Sequence, residues 1–189
     1  MTSLGKPPLP EWAVRGRARW QRVGRGRPAF AVPPIRGQES VWDYPRPPRV
    51  ERDARPVRVS ADGTEVAASR RALRVLETAS PPTFYLPRAD VDIGLLRRAA
   101  KTSQCEWKGH AHYWDVLGPE GSRHAAAWSY PQPFPEYEIL RDHFAFYPSR
   151  LACFLDGQRV VPQPGGFYAG WVTAELVGPF KGEPGSEDW

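Results

Sequence analysis

The chain has 189 residues, 41% of them apolar and 25% charged, which suits one globular domain with a tail and leaves no apolar run near membrane-spanning length. Its 22 Pro and 17 Gly argue against a helix bundle and for short strands joined by many turns. The formal net charge of +5 belongs to the beginning: residues 1–49 hold ten Lys/Arg against three Asp/Glu, and residues 50–189 hold sixteen against eighteen.

Residues 1–38 read as a basic, Pro- and Gly-rich tail without apolar periodicity, expected to be disordered or extended and to add little stability. Within it, RGRARWQRVGRGR at 15–27 interleaves Arg with Gly and one Trp, a composition that holds phosphates and stacks a base, or simply stays solvated. No apolar stretch precedes a small-residue cleavage site, and Ser is scarce, so no targeting segment is read and a cytoplasmic location is expected.

A linker or edge segment covers 39–54, with ESVWDYPRPPRV near its start. Its Trp42-x-Tyr44-Pro45-x-Pro47 recurs as Trp128-x-Tyr130-Pro131-x-Pro133, an echo that raises the question of internal duplication. The segments VRVSADGTEVA at 57–67 and ACFLDGQRVVP at 152–162 each carry Asp-Gly between apolar runs, the signal for a tight hairpin. In 69–87, Ala72, Val75, Leu76 and Ala79 fit a helix face while Leu73, Val75 and Glu77 fit strand alternation. Pro81-Pro82 is expected to end that element, with TFYLP as a short strand after it. Asp90 before VDIGLLRRA suggests a short capped helix, and Pro135 opening PEYEILRDHF suggests another. Residues 163–189 mix Gly and aromatics, and read as an extension packed on the domain, or as a flap hinged at Gly165, Gly166 and Gly170.

The densest stretch in rings and polar groups is CEWKGHAHYWDVLGPEGSRHAAAWSYPQPFP at 105–135. Alternation along His110–Asp115 reads as a strand, and GPEGS at 118–122 reads as the turn into a second one. Trp107, Tyr113, Trp114, Trp128 and Tyr130 are then expected to converge as an aromatic wall, with Lys108 and Gly109 where an anion could approach. Such rings also simply fill cores. Cys105 and Cys153 form no CxxC, and the four histidines lack closely paired ligands, so no metal and no cofactor are assigned.

The blocks RALRVLET, PPTFYLPRADV, CEWKGHAHYWDV, AAWSYPQPFP and HFAFYPSRL, in this order across about 55–162, resemble the bacterial domain-of-unknown-function 427 family. ESVWDYPRPPR before them and GGFYAGW with GPFKGEPG after them resemble its longer actinobacterial members. The resemblance implies a mainly β fold of antiparallel sheets, of the β-tent (Mss4-like) type, with one to three short helices. It also implies equivalent positions at Glu77, Tyr85, Cys105, Lys108, Tyr113, Trp114 and Trp128, expected to meet in a pocket between the sheets, and by fold analogy a cage of Trp107, Trp128 and Tyr130. Many proteins of that fold hold zinc through two CxxC pairs, which this chain lacks. The nucleotidyltransferase-like label attached to the family finds no glycine-rich phosphate loop or paired aspartates here.

Three functions follow as expectations. The first is a binding module in which the aromatic wall, Lys108 and Arg74 hold a flat anionic or zwitterionic small molecule. The second is an enzyme with Glu77 as acid or base, Tyr85 as hydrogen-bond donor and Cys105 as nucleophile. The third is a nucleic-acid accessory protein acting through residues 15–27.

Overall fold

The computed structural model describes residues 8–20, 26–186 and 189. After helix α1 (Glu11–Ala18) and the short strand β1 (Glu39–Ser40) come β2 (Arg49–Asp53), β3 (Val57–Ala61), β4 (Thr64–Ser69), β5 (Ala72–Glu77) and β6 (Ser80–Pro87). The long strands β7 (Leu96–Cys105), β8 (Gly109–Gly118) and β9 (Gly121–Ser129) form a meander, followed by β10 (His143–Phe146), β11 (Ala152–Leu155) and β12 (Gln158–Arg159). Three short strands close the chain: β13 (Val161–Pro162), β14 (Trp171–Val172) and β15 (Leu176–Val177).

The larger sheet has seven strands in the order β2-β5-β6-β10-β9-β8-β7, and the smaller has four, β12-β11-β3-β4, both antiparallel throughout. The mainly β reading therefore holds. Both Asp-Gly hairpins form as expected, with Asp62 and Gly63 at φ 49° and 83° and Asp156 and Gly157 at 50° and 77°, the positive pair that a tight hairpin turn requires. The strand alternative for 72–77 is the correct one, and Pro81-Pro82 lie inside β6 rather than before it. They are accommodated where the β5–β6 register shifts between Val75 and Glu77.

Three further readings are decided by these elements, the first as a correction. The Asp90 helix is a single 3-10 turn at Ile93–Leu95, capped by Asp92, after which the chain enters β7; Asp90 instead accepts hydrogen bonds from Ser69 and Arg71. Of the linker and edge alternatives for 39–54, its end takes the second, since β2 is an edge strand of the large sheet paired along β5. The repeated Trp-x-Tyr-Pro pattern falls in unlike elements, a 3-10 turn at Val41–Asp43 and strand β9, so it marks no duplication.

Alternation divides the large sheet's side chains between two cores. Ala72, Phe84, Leu86, Val116, Ala127, Phe144 and Phe146 face the small sheet, where Val57, Val59, Cys153 and Leu155 meet them. Leu73, Val75, Tyr85, Tyr113, Trp128 and Ala145 occupy the opposite face. The C-terminal extension covers this double-sided sheet as packed structure. Trp171 is fully buried beside Phe84 and donates its Nε1 hydrogen to the Phe146 carbonyl at 3.2 Å, and β15 pairs in parallel with β1.

The described part of the tail is also docked. Ala31 joins Val41, Trp42, Tyr44, Leu76 and Leu176 in a third cluster, and Phe30 meets Trp42 edge-on at 5.0 Å. Trp12 on α1 packs against His110 and Phe134. Residues 1–7 and 21–25 of the expected disordered tail lie outside the described residues. Deleting residues 1–38 is accordingly expected to lower the melting temperature by several degrees, because about 1–3 kcal/mol of ring and ion-pair contact is removed at about 2–4 °C per kcal/mol. Thermal unfolding of the truncated chain checks this; an unchanged midpoint would restore the view of the tail as a solvated extension. Among the described residues, no helix is long and apolar enough to cross a membrane.

Candidate functional site

β7 and β8 are joined by a tight turn, Glu106–Lys108, and the sequence dictates how it closes. Gly109 sits at φ 103°, and a Cβ there would come within 3.4 Å of the Gln132 carbonyl, because the backbone bridges to Pro133 at this point. The turn folds Trp107 and Lys108 onto the sheet face that carries Tyr85, Tyr113, Trp128 and Tyr130. These side chains, with Glu77 from β5 and Cys105 from the end of β7, line one cavity of about 280 Å³.

The cavity is not where the sequence placed it. It lies on the face of the large sheet turned away from the small one, and its remaining walls come from the chain's two ends. Gln163, Phe167, Tyr168, Ala169 and Lys181 of the extension line it, as does Trp20. Gln163 fastens that roof, donating to the Lys181 carbonyl at 2.7 Å and accepting from the Gly170 N–H at 3.0 Å.

Two expected members lie elsewhere. Trp114 is one residue out of phase with Tyr113, so it points to the opposite face, donating to Ser129 Oγ at 3.0 Å and packing on Phe144. Arg74 is held by Glu39 and Glu51 and does not line the cavity. Sequence reasoning missed Trp20, Tyr147, Lys181 and the supporting Arg46, while Tyr168 was within reach of the flap alternative for 163–189. Lys181 falls in the GPFKGEPG block, and Trp20 is the one ring in the Arg-rich run; those were the available signals.

The rings are mutually braced. Trp128 Nε1 donates to Tyr85 Oη at 3.2 Å, with the two rings edge-to-face at 5.9 Å, and Tyr147 tilts against Trp128 at 4.9 Å. Tyr113 shares a 3.0 Å hydrogen bond with Ser103. Burial pushes the Tyr85 phenol up to about 12 against the opposing pull of Lys108, and lifts Tyr130 well above its ordinary value, so both are neutral donors at physiological pH.

Lys108 is the exceptional group. It is only 8% exposed, yet among the described residues its ammonium makes no hydrogen bond and has no carboxylate within 4.0 Å. Burial works against its charge, but electrostatic coupling to Cys105, Tyr85, Glu77 and Tyr137 outweighs that and holds it above its ordinary range. Glu77 is committed to Arg46 Nε at 3.2 Å. Next to Lys108, the buried Trp107 Nε1 hydrogen also lacks an acceptor. Among the described residues the Trp107 indole N–H is thus buried without a partner, a costly arrangement unless something else accepts from it, while the Lys108 ammonium beside it opens into the cavity.

At the mouth, burial and then the charge of Arg46 bring Lys181 down to about 8, against the influence of Glu77 and Glu106. Cys105 is half-buried and lies in the cavity, whereas Cys153 is in the core between the sheets, where burial pushes its thiol up. Among the described residues, no three His, Cys, Asp or Glu side chains group as metal ligands. His110 packs on Trp12, and His143 sits by the Arg141 carbonyl.

Fold and cavity together define a β protein with an aromatic chamber built on the outer face of its main sheet. The family model for a domain of unknown function, DUF427, matches residues 49–157, and the chain belongs to that family. The matched region supplies Glu77, Tyr85, Cys105, Trp107, Lys108, Tyr113, Trp128 and Tyr130, while Trp20 and the Lys181 roof lie outside it. A comparison with curated proteins gives no match.

Proposed function

We propose that the cavity binds a flat small molecule bearing one anionic group, held at Lys108 and stacked among Trp107, Trp128, Tyr85 and Tyr130. The observation that carries this reading is the buried Lys108, held protonated and without a hydrogen-bonded partner among the described residues. A volume of about 280 Å³ is at the small end of ligand pockets, which run from about 300 Å³ upward, so a one- or two-ring compound is the right scale. Neutral Tyr85 and Tyr130 favour an oxyanion, because phenol O–H groups donate to it while ionised phenols would repel it.

The test pairs isosteres of different charge. In a thermal-shift titration, 1-naphthoate is expected to raise the melting temperature and 1-naphthamide to do so far less, since only the former supplies a counter-charge. Equal shifts would overturn the anion reading. Native mass spectrometry of freshly purified protein adds the identity of any retained small molecule.

One observation favours the enzyme alternative. Cys105 lies half-buried in the cavity with Lys108, a setting open to a nucleophile and unlike that of an inert core thiol such as Cys153. A reducing cytoplasm would keep it a thiol. Glu77 suits a proton-transfer role less well, because its Oε1 is already engaged by Arg46. The nucleic-acid reading loses part of its basis, as Arg15 pairs with Glu11 and Arg17 and Trp20 are turned onto the domain.

A further inference from the structure

Trp20 occupies an unusual position. Its ring lies between two cations, with Arg46 Cζ at 4.0 Å and Lys181 Nζ at 4.1 Å from the ring centroid, and its indole N–H donates to Glu106. Arg46 is almost wholly buried, and Lys181 is 4% exposed. Arg46 is paired with Glu77 and Lys181 donates to the Trp189 carbonyl, and the indole adds an electron-rich surface against both cations. The same ring forms part of the cavity wall.

We infer that the slot between Arg46 and Lys181 is a second subsite of the cavity, suited to a planar electron-rich or anionic ring, and that Trp20 is its internal occupant, competing with ligand. This rests on the cavity being a small-molecule site, and deepens that reading by assigning the ligand a ring at the mouth in addition to an anion at Lys108.

The hold of the N-terminal segment is slight. α1 has eight residues, no side-chain cap at Pro10 and a glycine at position 16; it buries only Ala13 fully, so its own helical stability is marginal. Apart from Trp20 and Trp12, its anchor is Arg17, whose Nε donates to the Glu106 carbonyl at 2.8 Å and whose Nη2 donates to the Trp107 carbonyl at 3.4 Å. Segments fastened by few buried contacts open at low cost. The anchoring points are informative: Arg17 and Trp20 grip the turn that carries Trp107 and Lys108, so release of the segment and occupation of the cavity act on one short piece of backbone.

The test is chemical rescue in the full-length chain. Trp20→Ala is expected to gain a melting-temperature increase with millimolar indole that the wild type does not show, because free indole refills the vacated slot. 1-Naphthoate, measured by calorimetry, is expected to bind Trp20→Ala about tenfold more tightly than wild type, as follows if the open form is roughly a tenth of the population. Arg17→Ala, which keeps the ring but loosens its anchor, should fall between them, and provides the decision if Trp20→Ala folds poorly. Indole acting equally on variant and wild type, or on neither, would overturn the proposal. So would 1-naphthoate binding no more tightly to either variant, because Trp20 would then be a wall of the site and not its competitor. Adding Lys108→Met to Trp20→Ala separates the two readings. Indole rescue that persists while 1-naphthoate affinity ignores Lys108 would sink the anion reading and leave this subsite standing; the reverse pattern would sink the subsite alone.

Discussion

Lys108→Met is expected to weaken binding of 1-naphthoate by at least about 30-fold, corresponding to the roughly 2–5 kcal/mol lost when one partner of a buried charge pair is removed. The same substitution should leave the unliganded protein unchanged in stability, or more stable by about 1–3 kcal/mol. The wild-type fold keeps Lys108 8% exposed among rings, its ammonium without a hydrogen bond to any described residue, and the neighbouring Glu77 is engaged by Arg46. Met fills a similar volume without needing a counter-ion, and such replacements of buried charge are often neutral or stabilising. Calorimetric titration and denaturant unfolding measure the two effects on the same samples. A large loss of stability in Lys108→Met would mean that the charge serves the fold, and the case for an anion site would lose its main support.

Trp171→Ala is expected to cost about 3–5 kcal/mol and close to 10 °C in melting temperature. Trp171 has no exposed surface, packs on Phe84 at a centroid distance of 5.0 Å, and shares the core between the sheets with Phe146 and Leu155. It belongs to 163–189, which the sequence allowed to be either packed extension or mobile flap. Removing a ring from a flap would change the midpoint by little, so a shift under about 2 °C would favour the flap. Because this ring lies on the core side of the sheet and not in the cavity, its loss should reduce stability before it alters ligand preference.

Much of this architecture was readable where the physics is local. Asp62-Gly63 and Asp156-Gly157 announced their hairpins because a two-residue turn demands positive φ at both positions, and few residue types supply it. The β8–β9 pair was readable from alternation at 110–115 and a glycine-flanked turn. That alternation already contained the fact that Tyr113 and Trp114 face opposite ways; grouping them as one wall set aside the period-2 rule in favour of composition. β7 was illegible for a different reason. LRRAAKTSQC is an exposed edge strand with no apolar face, and a single 3-10 turn before it imitates the start of a helix. The cavity's location could not be read from periodicity, because Trp20, Tyr168 and Lys181 come from segments whose order depends on docking against the sheet. Lys108 was picked out for its neighbours; that it is buried and unpartnered is a property of the assembled fold.

The roof residues have a consequence for the timing of synthesis. Residues 85–130 place the aromatic rings on one face of the large sheet, but Tyr168, Ala169 and Lys181 cover that face, and they are synthesised after it. Strand β10 joins the sheet only after residue 146 is made, so a nascent chain passes through a stage in which Tyr85, Tyr113 and Trp128 form a sticky, uncovered surface. During that interval the chain is exposed to aggregation, and the chamber comes into being only with the final closing contacts, when the two ends meet across the face that the middle has built.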